Sequence, residues 1–214
     1  LGSSNDELSS GLAYANGSII VAGHGANAAN VLAPTQTVGT PGGTNDSFVA
    51  DYTLSTPVLD LDADNSSGAT GTGFNAAWSA GGGAKAVADA DATITDSGST
   101  DLQWLTVQNA GLADGASEVL AANTTGTSIA ASYNSATGTL TLSGWDTVAH
   151  YQQVLRTITY NNAASVPTGA SRVLTFTVSN GVNSAGATTN VQFTNTAPVF
   201  SNLNGTPAYT ENAA

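Results

Sequence analysis

The sequence predicts an all-β protein built around a β-sandwich, and three observations carry that expectation. Short runs of apolar residues alternate with threonine, as where Thr175 and Thr177 separate Leu174, Phe176 and Val178, which is the period-two pattern of a strand with one buried face. The runs are separated by Asp, Asn and Gly, whose local hydrogen bonds and tolerance of positive φ favour turns. One phrase recurs: Ser55-Thr-Pro-Val-Leu-Asp-Leu61 and Thr196-Ala-Pro-Val-Phe-Ser-Asn-Leu203 place Pro57 and Pro198 141 residues apart, about one domain length. The recurrence divides the chain into 1–56, 57–197 and 198–214. The last piece reads as a linker and the first strand of a following unit, so the chain is expected to be part of a longer tandem array.

In residues 1–56, Asn16-Gly17 lies between the apolar runs Leu12-Ala-Tyr-Ala15 and Ser18-Ile-Ile-Val-Ala22. That dipeptide suits a type I′ turn and predicts a β-hairpin. Pro34 and Pro41-Gly-Gly43 break the stretch from 24 to 45, which reads as loop, and Asp46 to Leu54 reads as a third strand.

Strand signals then follow at Val58 to Leu61, Phe74 to Trp78, Ala86 to Ala88, Ala92 to Thr95, Leu102 to Val107, Ser128 to Tyr133, Thr139 to Leu142, Arg156 to Tyr160, Val173 to Val178 and Thr188 to Phe193. One segment departs from period two. Thr147 to Leu155 places Val148, Tyr151 and Leu155 on helical spacing, with Ser143-Gly-Trp-Asp146 as its expected cap. So short a helix needs packing to persist, and it is expected to plug one end of the sandwich with Tyr151 and Leu155 buried. Trp78 and Trp104 fall in strand runs and read as core or sheet-face residues, whereas Trp145 reads as more exposed.

The 214 residues carry 15 acidic side chains against 3 basic ones, a net charge of −12. Such a surface repels phosphates and excludes nucleic acid as a partner, while it attracts divalent cations. With no cysteine, disulfides and thiolate metal sites are excluded. No run is long enough to span a membrane, and Leu1-Gly-Ser-Ser shows no signal peptide, so the start reads as processed.

The stretch Gly11-Leu-Ala-Tyr14, Asn16 to Gly23 and Gly42-Gly-Thr-Asn-Asp-Ser-Phe-Val-Ala50 resembles one blade of a bacterial β-propeller repeat. Residues 57–197 resemble the cadherin-like repeats strung in tandem through large secreted bacterial adhesins and surface proteins. The matching stretches include Leu59-Asp-Leu-Asp-Ala-Asp-Asn-Ser-Ser67, Ala88-Asp-Ala-Asp-Ala-Thr-Ile-Thr-Asp96, Tyr151 to Asn161 and Arg172 to Gly181. This resemblance implies a cadherin-like or Ig-like sandwich, an extracellular or cell-surface location, and neighbouring repeats as partners. At the seam, Asn195-Thr-Ala-Pro-Val-Phe200 and Glu211-Asn212 stand where the family has its linker and a Glu-Asn pair. The linker's usual aspartates are absent there, which argues against a calcium hinge at that seam.

Asp60, Asp62 and Asp64 alternate beside Asn65. Carboxylates that close suit calcium, which takes six to eight oxygens; the plainer reading is a charged edge that discourages strand pairing. Asp89, Asp91 and Asp96 repeat the theme and are candidates to complete that site, although Asp96-Ser-Gly98 also reads as an Asx-turn. Glu211 is the candidate at the seam, and Asp114 with Glu118 forms a weaker pair. The chain lacks both the twelve-residue calcium loop of helix-loop-helix proteins and the Gly-Gly-x-Gly-x-Asp nonapeptide. Catalysis has no support: His24 and His150 are far apart in sequence without acidic partners in a zinc pattern, and no Gly-x-Ser-x-Gly elbow occurs. Tyr160 and Arg156 read as braces of the domain. The expected function is a non-enzymatic structural repeat that serves as spacer or assembly module of an adhesin, filament or biofilm matrix, stiffened by calcium. The alternatives are a calcium-dependent module that binds a surface glycan, and a homo-oligomer or filament joined by donor-strand exchange.

Overall fold

A computed structural model describes residues 8–15, 18–25, 36–38, 46–53 and 55–194. The first of these form an antiparallel four-stranded sheet from β1 (Leu8–Ala15), β2 (Ser18–Gly25), β3 (Gln36–Val38) and β4 (Asp46–Thr53), in the order β1-β2-β4-β3. Ala15 pairs with Ser18, so β1 and β2 pair as the predicted hairpin; the Asn16-Gly17 turn itself lies outside the described residues. β3 corrects the reading of 24–45 as loop throughout. It is three residues long and pairs only with β4, Val38 opposite Val49, so its partner rather than its own pattern defines it.

The main unit adds β5 (Val58–Asp60), β6 (Phe74–Trp78), β7 (Lys85–Ala86), β8 (Thr93–Thr95), β9 (Asp101–Asn109), β10 (Glu118–Ala121), β11 (Ala130–Asn134) and β12 (Thr139–Thr147). After these come α1 (Val148–Leu155), β13 (Thr159–Asn162), β14 (Ser171–Ser179) and β15 (Ser184–Phe193). One layer is a six-stranded sheet of order β11-β12-β9-β14-β15-β6; facing it are β10-β13-β7 and the pair β5-β8. The segment after β7 stitches the two smaller sheets together, because Val87 N–H donates to Ile158 O at 3.1 Å and Asp89 N–H to Leu61 O at 2.8 Å. Across the layers, the buried Thr189 hydroxyl donates to Val87 O at 2.6 Å.

The predicted alternation holds where it is cleanest. In β14, Leu174, Phe176 and Val178 are fully buried while Val173 and Thr175 face outward. These side chains join Leu105, Val107, Leu140, Leu142 and Val191 of the same sheet and Leu59, Ile94, Leu120 and Tyr160 opposite, in one continuous core. Each large apolar side chain so buried contributes about 1.5–3 kcal/mol.

Several strands differ from the prediction: β12 runs on to Thr147 and β15 begins at Ser184. β10 forms where no strand is expected, since its pattern is broken by a buried glutamate. β13 starts at Thr159 rather than Arg156, because Thr157 and Ile158 still donate to Val154 O and Leu155 O as α1 unwinds. β7 covers Lys85 and Ala86 rather than 86–88.

The helix is capped by Thr147, whose side chain accepts from His150 N–H at 3.2 Å. This corrects the expected cap, since Ser143 to Asp146 lie within strand β12 itself. Tyr151, Val154 and Leu155 are buried, and α1 closes the sandwich between β8 in one layer and β9 with β12 in the other. Just before it, β12 bulges between Ser143 and Asp146. Gly144 has φ +130° there, and a Cβ would stand 2.8 Å from Ser128 O. Gly144→Ala is therefore expected to cost about 1–3 kcal/mol, read as a lowered midpoint in chemical denaturation with an unchanged slope.

The chain crosses the sandwich boundary at opposite ends. Where it comes in, the Ser55 carbonyl accepts from the side-chain amides of Asn180 and Asn183, each at 3.0 Å, on the β14–β15 turn. Where it goes out, Thr194 follows β15 and donates its N–H to Trp78 O at 2.7 Å. The ten residues of β15 separate the two points by roughly 30 Å.

Candidate functional site

The loop after β5 gathers acids by turning back on itself. Asn65 N–H donates to Asp62 O at 3.0 Å, and Asn65 adopts φ +56°, a left-handed conformation that Asn tolerates well. The Asp62 carboxylate is fully buried. It accepts from the backbone N–H groups of Ser66 and Ser67, both at 3.0 Å, and from both serine hydroxyls. These bonds, the Ser67 hydroxyl foremost, hold its carboxyl below the usual carboxylate range against the opposing effect of desolvation.

From the neighbouring turn, Asp91 reaches across to this loop. One of its carboxylate oxygens accepts from Ala63 N–H at 3.2 Å and the other from Asp64 N–H at 2.9 Å. Asp62, Asp64 and Asp91 thereby bring ligand oxygens within 4.8 Å of one another. Two further carboxylates flank them: Asp60 accepts from Asp62 N–H, and Asp89 accepts from Asp91 N–H and the Ser66 hydroxyl. Among the described residues no Lys or Arg forms an ion pair with any of these five. Three carboxylates with oxygens within 4.8 Å of one another repel unless a cation intervenes. The donors are all oxygen, and the Asp64 and Asp91 oxygens keep lone pairs beyond their N–H partners; each Asp62 oxygen already accepts one N–H and one serine hydroxyl, and rotation of a hydroxyl frees a lone pair there, so the three aspartates can hold a divalent cation.

The other candidates lie elsewhere. Asp96 forms the predicted Asx-turn, accepting from Gly98 and Ser99 N–H at 3.1 Å each, and binds the Asn180 amide at 2.8 Å. It belongs to the incoming end of the sandwich rather than to the acidic loop. Glu211 and the seam motif fall outside the described residues. Asp114 and Glu118 are engaged with Arg172: its Nε and Nη2 donate to the two Glu118 oxygens at 2.8 and 3.0 Å, and Nη2 also donates to Asp114 at 2.9 Å. A carboxylate so neutralised is a poor metal ligand, so this pair is structural.

His150 donates from Nδ1 to the Asp146 carboxylate at 2.6 Å on the surface of α1, and the side chain of His24 lies outside the described residues. Trp145 is exposed, as expected, but its ring rests against Gly181 on the β14–β15 turn and is not part of the acidic loop. The brace role expected of Arg156 is met by its Nε donating to Ala92 O at 2.9 Å. The larger brace, Arg172, enters the sequence expectations only as the start of the stretch Arg172 to Gly181, with no role assigned to it. Its place in the alternation of Leu174, Phe176 and Val178 was the available signal. No helix among the described residues is long and apolar enough to cross a membrane. No family model, curated protein or solved structure matches this chain.

Proposed function

We propose that residues 57–197 act as a force-transmitting spacer, a cadherin-like repeat of an extracellular surface protein whose neighbours in the chain are further repeats, and that this role involves no catalysis. The observation that carries the reading is the placement of the two chain crossings, at Ser55 and Thr194, at opposite ends of the sandwich. Tension applied through them runs along β15, which is paired on both sides by β14 and β6, so its hydrogen bonds are loaded together in shear. The extracellular location rests on the resemblance to secreted tandem repeats. Stretching single molecules between the chain ends tests the role. The expected trace shows one discrete unfolding step, lengthening the chain by about 45 nm for some 140 residues released. Smooth extension without a step would sink the spacer reading.

Within this unit, Asp62, Asp64 and Asp91 serve as a calcium site that stiffens the loop between β5 and β6. Oxygen-only donors on a loop suit calcium better than metals that prefer nitrogen or sulfur. Binding only the folded state stabilises it by mass action, by about 2.7 kcal/mol at a hundredfold excess over Kd. Millimolar calcium is expected to raise Tm by several degrees over chelator, and Asp91→Asn is expected to abolish most of the rise. Equal melting with calcium and with chelator removes the calcium assignment while leaving the spacer role standing.

A further inference from the structure

The two ends of the sandwich differ in shape and in charge. At the outgoing end, a groove of about 390 Å³ is lined by Trp78, Ala80, Val166, Pro167, Phe193 and Thr194. It is apolar, and Val166 at its rim is 82% exposed. The acids of this end, Asp114 and Glu118, are both paired with Arg172. Lys85, exposed on β7 opposite Tyr160, whose ring packs against the groove residues Trp78 and Phe193, makes no ion pair among the described residues.

The incoming end is the converse. Trp145 projects from the β12 bulge, 60% exposed, and Val182 beside its Gly181 support is also 60% exposed. A Cβ on Gly181 would stand 2.9 Å from the Trp145 ring, so the ring is seated directly on backbone and held outward. The neighbouring charges are all carboxylates: Asp96 on the Asn180 amide, Asp101 opposite Thr147, and Asp146. His150 faces only Asp146. An apolar knob within an acidic surround at one end thus matches an apolar groove beside a free lysine at the other.

We propose that the outgoing groove of one molecule receives the Trp145–Val182 knob of a second copy of this chain, giving a head-to-tail contact. The occupant is a second copy because both the shape and the sign of charge are complementary between the two ends. Two different surfaces meet in such a contact, so it is heterologous and leaves a free groove and a free knob at the extremities, which propagates into a filament. The proposal adds self-association to the spacer reading, and it does not depend on cation binding.

The absence of cysteine from the whole chain makes cross-linking specific. Ser184 and Ser165 are exposed beside the knob and the groove and lie at opposite ends of the sandwich, about 30 Å apart along β15, well beyond disulfide reach within one molecule. Oxidising an equimolar mixture of full-length S184C and S165C chains, in which knob and groove are both intact, is expected to give mainly the mixed 184–165 dimer, and the double variant a ladder of oligomers. Two lysine variants test the same contact without cysteine, because W145K blocks the knob and V166K the groove. Wild type is expected to gain mass with concentration in light scattering, each lysine variant alone to stay monomeric, and their mixture to form dimers only, through the intact groove of W145K and the intact knob of V166K. A wild type that stays monomeric at every concentration overturns the proposal. So does association undiminished by either lysine, which would mean another surface, or a predominance of symmetric 184–184 and 165–165 products. Circular dichroism of each variant checks that these exposed substitutions leave the fold intact.

Discussion

Arg172→Met is expected to destabilise the sandwich by about 3–5 kcal/mol, the range seen when one partner of a buried ion pair is removed. Arg172 occupies a core-facing position of β14 and is 3% exposed; its partner Glu118 is completely buried. The Glu118 carboxylate receives six hydrogen bonds: two from Arg172 and one each from Asn109 Nδ2, Ala113 N–H, Asp114 N–H and the Tyr160 hydroxyl. Burial alone would push its carboxyl upward. The Arg172 bond, with those from Asp114, Tyr160 and Asn109, outweighs that effect and holds it below the usual range. Methionine would preserve most of the packing against Phe193, over whose ring the guanidinium lies at 4.8 Å, yet leave a buried anion with only neutral donors. The control is the double variant R172M with Glu118→Leu. Its loss should be smaller than that of R172M alone, because the uncompensated charge is gone. Urea denaturation of the three proteins checks both expectations, and equal losses in the single and double variants would show that packing, not charge, dominates.

The same network sets the acid response. Glu118 and Asp114 have folded-state pKa values below their unfolded ones. Their contribution is fully present above the unfolded values, near 4, and is lost as pH falls through the folded values. Asp62, Asp96 and Asp146 shift in the same direction. Wild type should therefore lose stability steeply below about pH 4, and the double variant, lacking Glu118, should lose it less steeply.

This network also marks the limit of what the sequence disclosed. Local periodicity was readable: the alternation of β14, the Asn16-Gly17 hairpin and the helical spacing of Val148, Tyr151 and Leu155 depend on neighbours within a few residues. The acidic loop was partly readable, since Asp62, Asp64 and Asp91 were all candidates. Their union needed a contact across 27 residues, Asp64 N–H to Asp91, that spacing alone does not specify. β10 and Arg172 hid one another. Each breaks its strand's apolar pattern with a charge, and the two exceptions make sense only as partners 54 residues apart. The parallel pairing of β6 with β15, Trp78 opposite Phe193, is equally non-local, and local residue patterns carry no trace of it.

That pairing leads to the second large effect. Trp78→Ala is expected to cost about 3–5 kcal/mol, the usual range for a buried tryptophan. The ring is 1% exposed, its Nε1 donates to Gly83 O at 3.1 Å, and it packs edge-on to Tyr160 at 6.1 Å and tilted against Phe193 at 5.0 Å. Alanine removes these contacts and leaves a void beneath the Arg172–Phe193 stack, where Tyr160 also donates to Glu118. The damage should therefore exceed that of Phe193→Ala, whose ring is only partly buried, and Trp78→Phe should recover part of it by refilling the void. The Trp78 carbonyl that anchors Thr194 belongs to the backbone and survives all three changes. If the outgoing end owes its stability to that backbone tether rather than to the aromatic cluster, Trp78→Ala and Phe193→Ala will cost the same small amount, and differential scanning calorimetry of the two variants distinguishes the cases.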